Sequence, residues 1–419
     1  MTTQSASILT IAALAGTTLA APQLTAPSSL PTVQRPGGVA TGDFNGDGFD
    51  DLAVAVDNID RIDVFPGNGD GTFGAAQPVF TGAGTGPDSL AAFDADGDGD
   101  TDLAVVLNNI NTVRIYTNTA GLFAAGASAA TGAEPRSLTA ADIDGNGTID
   151  MLTANRDANT VTIILNSGVA LSSSDVAVGD EPRDAVAFDM DGTGQLAIAA
   201  TNSRDRSISI LTGSGSAYTV AQTLNVGAAF RPEGIAAGDL DGDGDDDLVA
   251  AVEIFAQVWT NNAGTFAPTN VSAGTNTDRI MLADLDGDGD LDAVTTNQDA
   301  NSISVFDNTG AGLAAGTVIA AGTAPDRLSS ADFDGNGSAD VAVTNRDSDN
   351  TLIYLTAGAA TPCNPADLAE PFGVLNFDDI DAWVAAFLSN DLAADIDGNG
   401  ALNVDDVDGF VAAYLGGCP

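Results

Sequence analysis

Seven times along the chain the sequence returns to one acidic, glycine-rich stretch, with first aspartates at Asp43, Asp94, Asp142, Asp189, Asp239, Asp284 and Asp332. Successive starts lie 51, 48, 47, 50, 45 and 48 residues apart. A solenoid of glycine-rich nonapeptides would repeat about every nine residues, so the stretch punctuates a larger unit of blade size. Within each unit an apolar run such as "SLTAA" enters the acidic stretch and one such as "DLAVAV" leaves it. A polar turn such as "NRDANT", an alternating run such as "VTIILN" and a glycine-rich turn follow. That order gives four short strands per unit with almost no helical periodicity. Seven such units predict an all-β chain folded as a seven-bladed β-propeller, in which radial closure protects the sheet edges. The seventh unit breaks off after "TLIYLTAG", and residues 24–34 precede the first unit's inner strand. The N-terminal segment is therefore expected to supply the last blade's missing strand.

The stretch itself has the donor pattern of a hard-cation loop. Calcium takes six to eight oxygens, and a tight loop can offer side chains at positions 1, 3, 5 and 9 and a carbonyl at position 7, with glycine at 6 for the turn. The first copy offers Asp43, Asn45, Asp47 and Asp51 with the Phe49 carbonyl, and the second Asp94, Asp96, Asp98 and Asp102 with that of Asp100. The third offers Asp142, Asp144, Asn146 and Asp150 with Thr148, and the fifth Asp239, Asp241, Asp243 and Asp247 with Asp245. In the sixth the set is Asp284, Asp286, Asp288 and Asp292 with Asp290, and in the seventh Asp332, Asp334, Asn336 and Asp340 with Ser338. The fourth, "DMDGTGQLA", keeps Asp189 and Asp191 but has Thr193 at position 5 and no acid at position 9, so it should bind weakly or not at all. An Asx-rich turn explains one such loop without a metal. Six intact copies do not fit that explanation, because crowded carboxylates repel one another unless a cation sits among them.

On this repeated "D-x-[DN]-G-[DN]-G-x-x-D" pattern the chain resembles the FG-GAP or VCBS-type repeat propellers, which include the calcium-bearing propeller of integrin α subunits. The resemblance covers roughly residues 30 to 360. It implies calcium loops that join the first two strands of a blade and staple it from one face; it implies no reaction.

Composition narrows the chemistry. The formal charge of -47 comes from 54 Asp, only 5 Glu, 12 Arg and no Lys or His. A field of that sign repels nucleic acid and anionic lipid. Without imidazole or amine there is no common general base near neutral pH and no Ser-His pair, which argues against an enzyme. The enzyme alternative is a polysaccharide lyase-like activity on a calcium propeller, for which only Tyr116, Tyr218 and Tyr354 remain as proton acceptors. A single Trp in the repeats, Trp259, is poor provision for sugar stacking.

Eleven of the twelve arginines fall in the second-to-third and inter-unit turns, away from the acidic loops; only Arg114 does not. On the expected propeller they share one face. Arg136, Arg156, Arg183, Arg204, Arg279, Arg327 and Arg346 would form either a rim that recognises an anionic glycan or protein, or braces paired with acids of the same turns. The alternation of Arg with Asp inside the turns favours bracing.

Three domains are expected: a secretory signal over residues 1–20, on the apolar stretch "SILTIAALAGTTLA"; the propeller over 22–360; and a small module over 361–419. No later segment is long enough to span a bilayer. Cys363 and Cys418 bracket the last module, as suits a disulfide in a secreted or surface protein. It contains two amphipathic helical patterns, "NFDDIDAWVAAFL" and "NVDDVDGFVAAYLGG". Asp395, Asp397, Asn399, the Ala401 carbonyl, Asn403 and Asp406 have EF-hand spacing. Through "CNPADLAEPFG" and the terminal "GGC" the module resembles dockerins, which implies attachment to a cohesin-like or surface partner.

Overall fold

The computed structural model describes residues 22–32, 34–310 and 312–357. The secretory stretch, Cys363, Cys418, both amphipathic patterns and the loop from Asp395 to Asp406 lie outside the described residues.

Strand β1 (Ser28–Pro31) is followed by a sheet of β2 (Pro36–Gly42), β3 (Asp51–Val56), β4 (Arg61–Phe65) and β5 (Gln77–Phe80), and by a second of β6 (Pro87–Phe93), β7 (Asp102–Leu107), β8 (Thr112–Thr119) and β9 (Leu122–Ala130). The third holds β10 (Thr139–Ala141), β11 (Asp150–Asn155), β12 (Thr160–Asn166) and β13 (Leu171–Ala177); the fourth holds β14 (Pro182–Asp189), β15 (Leu196–Asn202), β16 (Ser207–Thr212) and β17 (Thr219–Asn225). A six-stranded sheet follows, of β18 (Pro232–Gly238), β19 (Asp247–Asn262), β20 (Thr265–Ala283), β21 (Asp292–Asn297), β22 (Ser302–Phe306) and β23 (Thr317–Ala320). The last sheet pairs β24 (Pro325–Ala331), β25 (Asp340–Asn345) and β26 (Asn350–Tyr354) with β1. All pairings are antiparallel, and β2, β6, β10, β14, β18, β20 and β24 neighbour one another in that order and back to β2.

The propeller thus has six hydrogen-bonded blades, and the expected seven separate four-stranded blades are corrected. Its fifth and sixth repeats share one sheet. Elsewhere a polar turn separates the second and third strands, whereas the fifth repeat has only "VEIFA" there. The chain reverses at Glu253, whose φ of +48° takes the left-handed region, and again at Asn276, with φ +56°. Glu253 lies opposite Thr277, and this pairing joins the two repeats.

Burial follows from the geometry of stacked blades. The second strands β3, β7, β11, β21 and β25 are buried over all six residues. Their side chains alternate between two neighbours: Ala53 and Ala55 pack with Leu103, Val105 and Leu107 of the next repeat, while Leu52 and Val54 pack with Phe333, Ala342 and Ile353 of the last. A strand covered on both faces therefore reads as a continuous apolar run. Outer strands such as β5 and β17 are largely exposed. As expected, the N-terminal segment closes the ring: Ser28 lies opposite Ile353 and Pro31 opposite Asn350.

Candidate metal centres and the arginine face

Each acidic stretch connects an inner strand to a second strand, so all of them open on one face. In the first, Asp43 caps the loop: its Oδ1 accepts from the amides of Gly46 at 2.7 Å and Asp47 at 3.2 Å, and its Oδ2 accepts from Gly48 at 2.9 Å. Gly46 and Gly48 have φ of +78° and +90°, a conformation that strains other residues. The same Asx-type turn recurs at Asp94, Asp284 and Asp332. The loop is thus organised by its own backbone.

Position 9 begins the second strand and is buried. Asp102 illustrates its role: Oδ2 accepts from the Ala95 amide at 2.9 Å and Oδ1 from the Asn118 amide at 2.7 Å. Asp51, Asp150, Asp247, Asp292 and Asp340 repeat the arrangement. Oδ2 thus fastens the loop and Oδ1 ties it to the third strand's end; Asp51 Oδ1, Asp150 Oδ2 and Asp340 Oδ1 each accept a second hydrogen bond.

In four loops the structure brings positions 1, 3 and 9 together: Asp94, Asp96 and Asp102; Asp142, Asp144 and Asp150; Asp284, Asp286 and Asp292; and Asp332, Asp334 and Asp340. In the fifth it groups Asp239, Asp241 and Asp243. One carboxylate oxygen of each lies within 4.8 Å of the others in its group. In the first loop Asn45 holds position 3 and donates to Asp51 Oδ1 at 3.3 Å. Position 5 more often serves the turn, as where Asp98 accepts from the Asp100 amide at 2.9 Å. Asn146 and Asn336 likewise accept from the amides of Thr148 and Ser338. Burial is the main reason that Asp292 is pushed up to about 7, against the Asn308 and Leu285 amides and with Asp286 and Asp307 adding to the rise. Burial also pushes Asp247, Asp286 and Asp340 to about 6.

The fourth loop is built differently. Ala197 takes position 9, and Asp189 exchanges backbone contacts with Asp246 of the fifth repeat, whose Oδ2 accepts from the Asp189 amide at 2.7 Å. Thr193 donates to Asp191 at 2.6 Å, closing the turn without a converging third carboxylate.

A set of latch residues was not anticipated. Asn118 Nδ2 donates to the Phe44 carbonyl of the preceding loop at 2.7 Å and to Thr101 of its own at 2.9 Å. Asn166, Asn261 and Asn308 do the same between later repeats. In the fourth repeat the Tyr218 hydroxyl substitutes, donating to Leu196 at 2.8 Å. The signal in the sequence was an Asn 16 residues after the position-9 Asp in the second, third and sixth repeats.

At the other ends of the strands the arginines meet carboxylates. Arg136 pairs with Glu134 and with Asp88, the latter at 3.6 Å; Arg156 pairs with Glu134 at 2.6 Å and Asp157 at 3.2 Å. Arg183 reaches Glu233 at 3.4 Å, Arg204 reaches Glu181 at 3.0 Å and Arg346 reaches Asp326 at 2.5 Å. Arg279 and Arg327 extend furthest, with side chains only 11% exposed. Arg279 lies 3.5 Å from Asp184, two repeats away, and Arg327 donates to the Arg136 carbonyl at 2.6 Å and lies 3.6 Å from Asp88. With Asp184 and Ser137 they line an axial cavity of about 190 Å³. Burial pushes Asp326 up, but Arg327, Arg346 and Arg279 outweigh it and hold the carboxyl below its usual range. Among the described residues, none of these ion pairs includes an acidic-loop carboxylate.

The candidate lyase tyrosines are committed elsewhere: Tyr116, Tyr218 and Tyr354 are buried and donate to backbone carbonyls. Burial pushes Tyr354 up to about 12. Trp259 is buried as well, 4% exposed, and offers no sugar platform.

Residues 43–105, 96–153, 189–250 and 284–343 match the model of the FG-GAP-like repeat, together more than half of the chain. No curated protein matches the sequence. Among solved structures, BBS1N, crystallised in complex with ARL6DN and soaked with lead, is 12% identical over 80% of this chain and 97% of its own, with a TM-score of 0.60. A protein from Lactobacillus plantarum is 14% identical over 69% of this chain and 86% of its own, with a TM-score of 0.53. At such identities the likeness concerns the fold alone.

Proposed function

The chain belongs to the FG-GAP-like repeat family, and from that premise we propose that it is a secreted, non-enzymatic propeller stapled by calcium, serving recognition or adhesion and attached to a partner or surface through its dockerin-like C-terminal module. One observation carries the calcium reading: three carboxylates converge in each of five loops, with no guanidinium among them, while acids elsewhere such as Asp88 and Asp326 are paired with arginine. The donors are all oxygen and mostly charged, the set a hard cation such as calcium takes. The buried Asp286 Oδ2 has no hydrogen-bond partner, as suits an atom meant for a cation. Asp43, Asn45, Asp47 and Asp51 would hold the first ion, and the corresponding residues of the second, third, fifth, sixth and seventh loops the others. Calcium would neutralise charge there and tie inner strand to second strand.

Recognition falls to surfaces other than the paired arginines, which are occupied as braces. The lyase-like alternative loses support with its tyrosines buried. Secretion and anchoring rest on the apolar N-terminus and on the resemblance of residues 361–419 to dockerins.

Melting the full chain in calcium and in chelator tests the calcium reading. Each ion present at about 100 times its Kd stabilises by roughly 2.7 kcal/mol, so several together should raise Tm by about 10 °C or more. An unchanged Tm together with no heat on calcium titration would refute it. For the anchoring reading, deleting residues 363–419 should abolish retention at the surface.

A further inference from the structure

At one place in the repeat the inner segment lines the axial cavity, and the residue there is Gly38, Ser89, Ser137 or Asp184 in the first four repeats and Arg279 or Arg327 in the last two. The cavity walls thus set two guanidinium groups against one carboxylate. Bracing does not use up either arginine. Among the described residues, Arg279 bonds only through Nη1, to Asp184 and the Arg183 carbonyl at 3.5 Å each, and Arg327 only through Nη2, to the Arg136 carbonyl at 2.6 Å with Asp88 at 3.6 Å. The Nε atoms of both are buried without a hydrogen-bond partner. A close guanidinium–carboxylate contact measures about 2.7–2.9 Å, so these ion pairs are loose. Asp88 is moreover shared with Arg136. Asp278, beside Arg279 in sequence, accepts from Gln298 at 3.2 Å, and burial pushes its pKa up. Burial lowers the pKa of Arg327 and Arg279 adds to the fall, which Asp88, Asp326 and Asp184 only partly offset. Ser137 accepts from the Ala154 amide at 3.3 Å, which leaves its O–H to donate. The cavity of about 190 Å³ far exceeds the roughly 10–15 Å³ that one water needs.

We infer that the axial cavity is an anion site, in which a small monovalent anion, a halide or a carboxylate of formate size, sits between Arg279 and Arg327. Two guanidinium groups against one carboxylate leave a single positive charge on the walls, which a monovalent ion balances and a phosphate would overshoot. An enclosed charge without a close partner is costly, and an anion held by the free N–H groups removes that cost. The braces stay as they are, since the ion takes the nitrogens they leave over. This inference is independent of the calcium reading, because no acidic loop takes part in it.

The test is melting of the full chain in chelator at one ionic strength, with sodium chloride or sodium formate exchanged against sodium HEPES, whose anion is too bulky for the cavity. Chloride NMR linewidths are measured alongside. Wild type should melt higher in chloride or formate than in HEPES, by an amount that saturates with concentration, and should broaden the chloride signal until formate displaces it. A response to either anion supports the inference and tells which of the two the cavity prefers. Arg327→Gln should weaken the apparent Kd by roughly tenfold or more, because it removes one of the two cationic walls. If Arg327→Gln fails to fold, Arg279→Gln takes its place under the same expectations. Equal melting in all three salts with no broadening would overturn the inference and leave the cavity to water. Saturable binding that is the same in wild type and variant would overturn it too, as an adventitious ion only.

Discussion

At the hub, Asp88 faces both Arg136 and Arg327 at 3.6 Å, and Asp326 faces Arg346 at 2.5 Å. At the other ends of the strands, Asp94, Asp96 and Asp102 bring oxygens within 4.8 Å of one another with no arginine paired to any of them. The same short acid is thus used under two regimes. Hub carboxylates are compensated by the chain itself, across repeats and whatever the solvent holds. Loop carboxylates are framed by backbone amides and have no arginine partner, so on the calcium reading their remaining charge would fall to a cation. The net charge of -47 is therefore uneven in its consequences: if the calcium reading holds, one face should answer to calcium and the other should not.

The largest effect that could break this contrast lies at the hub. Arg327→Met removes the donor to the Arg136 carbonyl and one of the two partners of Asp88, in a site where the side chain is almost enclosed. Breaking a buried pair by deleting one partner leaves the other charge uncompensated, so a loss of about 3 kcal/mol is expected in urea unfolding. It should be equal with calcium and with chelator. A loss that vanished in chelator would mean that the two faces are coupled and the contrast false.

Asp102→Asn sharpens it from the loop side. Both oxygens of Asp102 accept backbone amides, and an Asn would aim its NH2 at one of them, at a cost of about 2 kcal/mol even in chelator. Asp96 makes no such double acceptance, so Asp96→Asn should be neutral or slightly stabilising in chelator and destabilising only in calcium. Equal behaviour of the two variants in chelator melts would show that position 9 is a ligand and not a staple.

Much of the arrangement was legible beforehand. The period of the acidic stretch, the four-strand order, the closing N-terminal strand and the lack of a third converging carboxylate in the fourth loop all follow from residue type and spacing, because each is local. The shared sheet was not foreseen. The fifth repeat's "VEIFA" lacks the polar turn of its neighbours, but nothing local says that Glu253 will pair with Thr277. Alternating Arg and acid in the turns signalled bracing, yet the contact of Arg327 with the Arg136 carbonyl joins residues 191 apart and depends on ring closure. The staple was hidden for another reason. A position-9 Asp satisfies both the ligand pattern and the hydrogen-bond pattern, so its spacing could not separate the two.

Glu233 offers a smaller and more selective test, because its hub partners are fewer. Burial raises its pKa, Asp278 adds to the rise, and Arg183, the Ser203 hydroxyl and Arg279 only partly offset it. An acid whose folded-state pKa lies above its unfolded value near 4.5 holds its proton more tightly in the folded chain. Its ionisation therefore costs stability above the folded-state pKa, and that cost is relieved as pH falls towards the unfolded value. Glu233→Gln has no proton to take up, so it should lack this contribution. The stability of wild type minus that of the variant should shift in favour of wild type on acidification from pH 7 towards the unfolded value, a small effect because Arg183 and Arg279 partly offset the burial. Urea unfolding of both proteins in chelator, where loop metal binding is absent, measures the difference. A shift of the opposite sign would mean that Arg183 dominates and holds Glu233 ionised, which would place this corner of the hub with Asp326 among the fully compensated carboxylates.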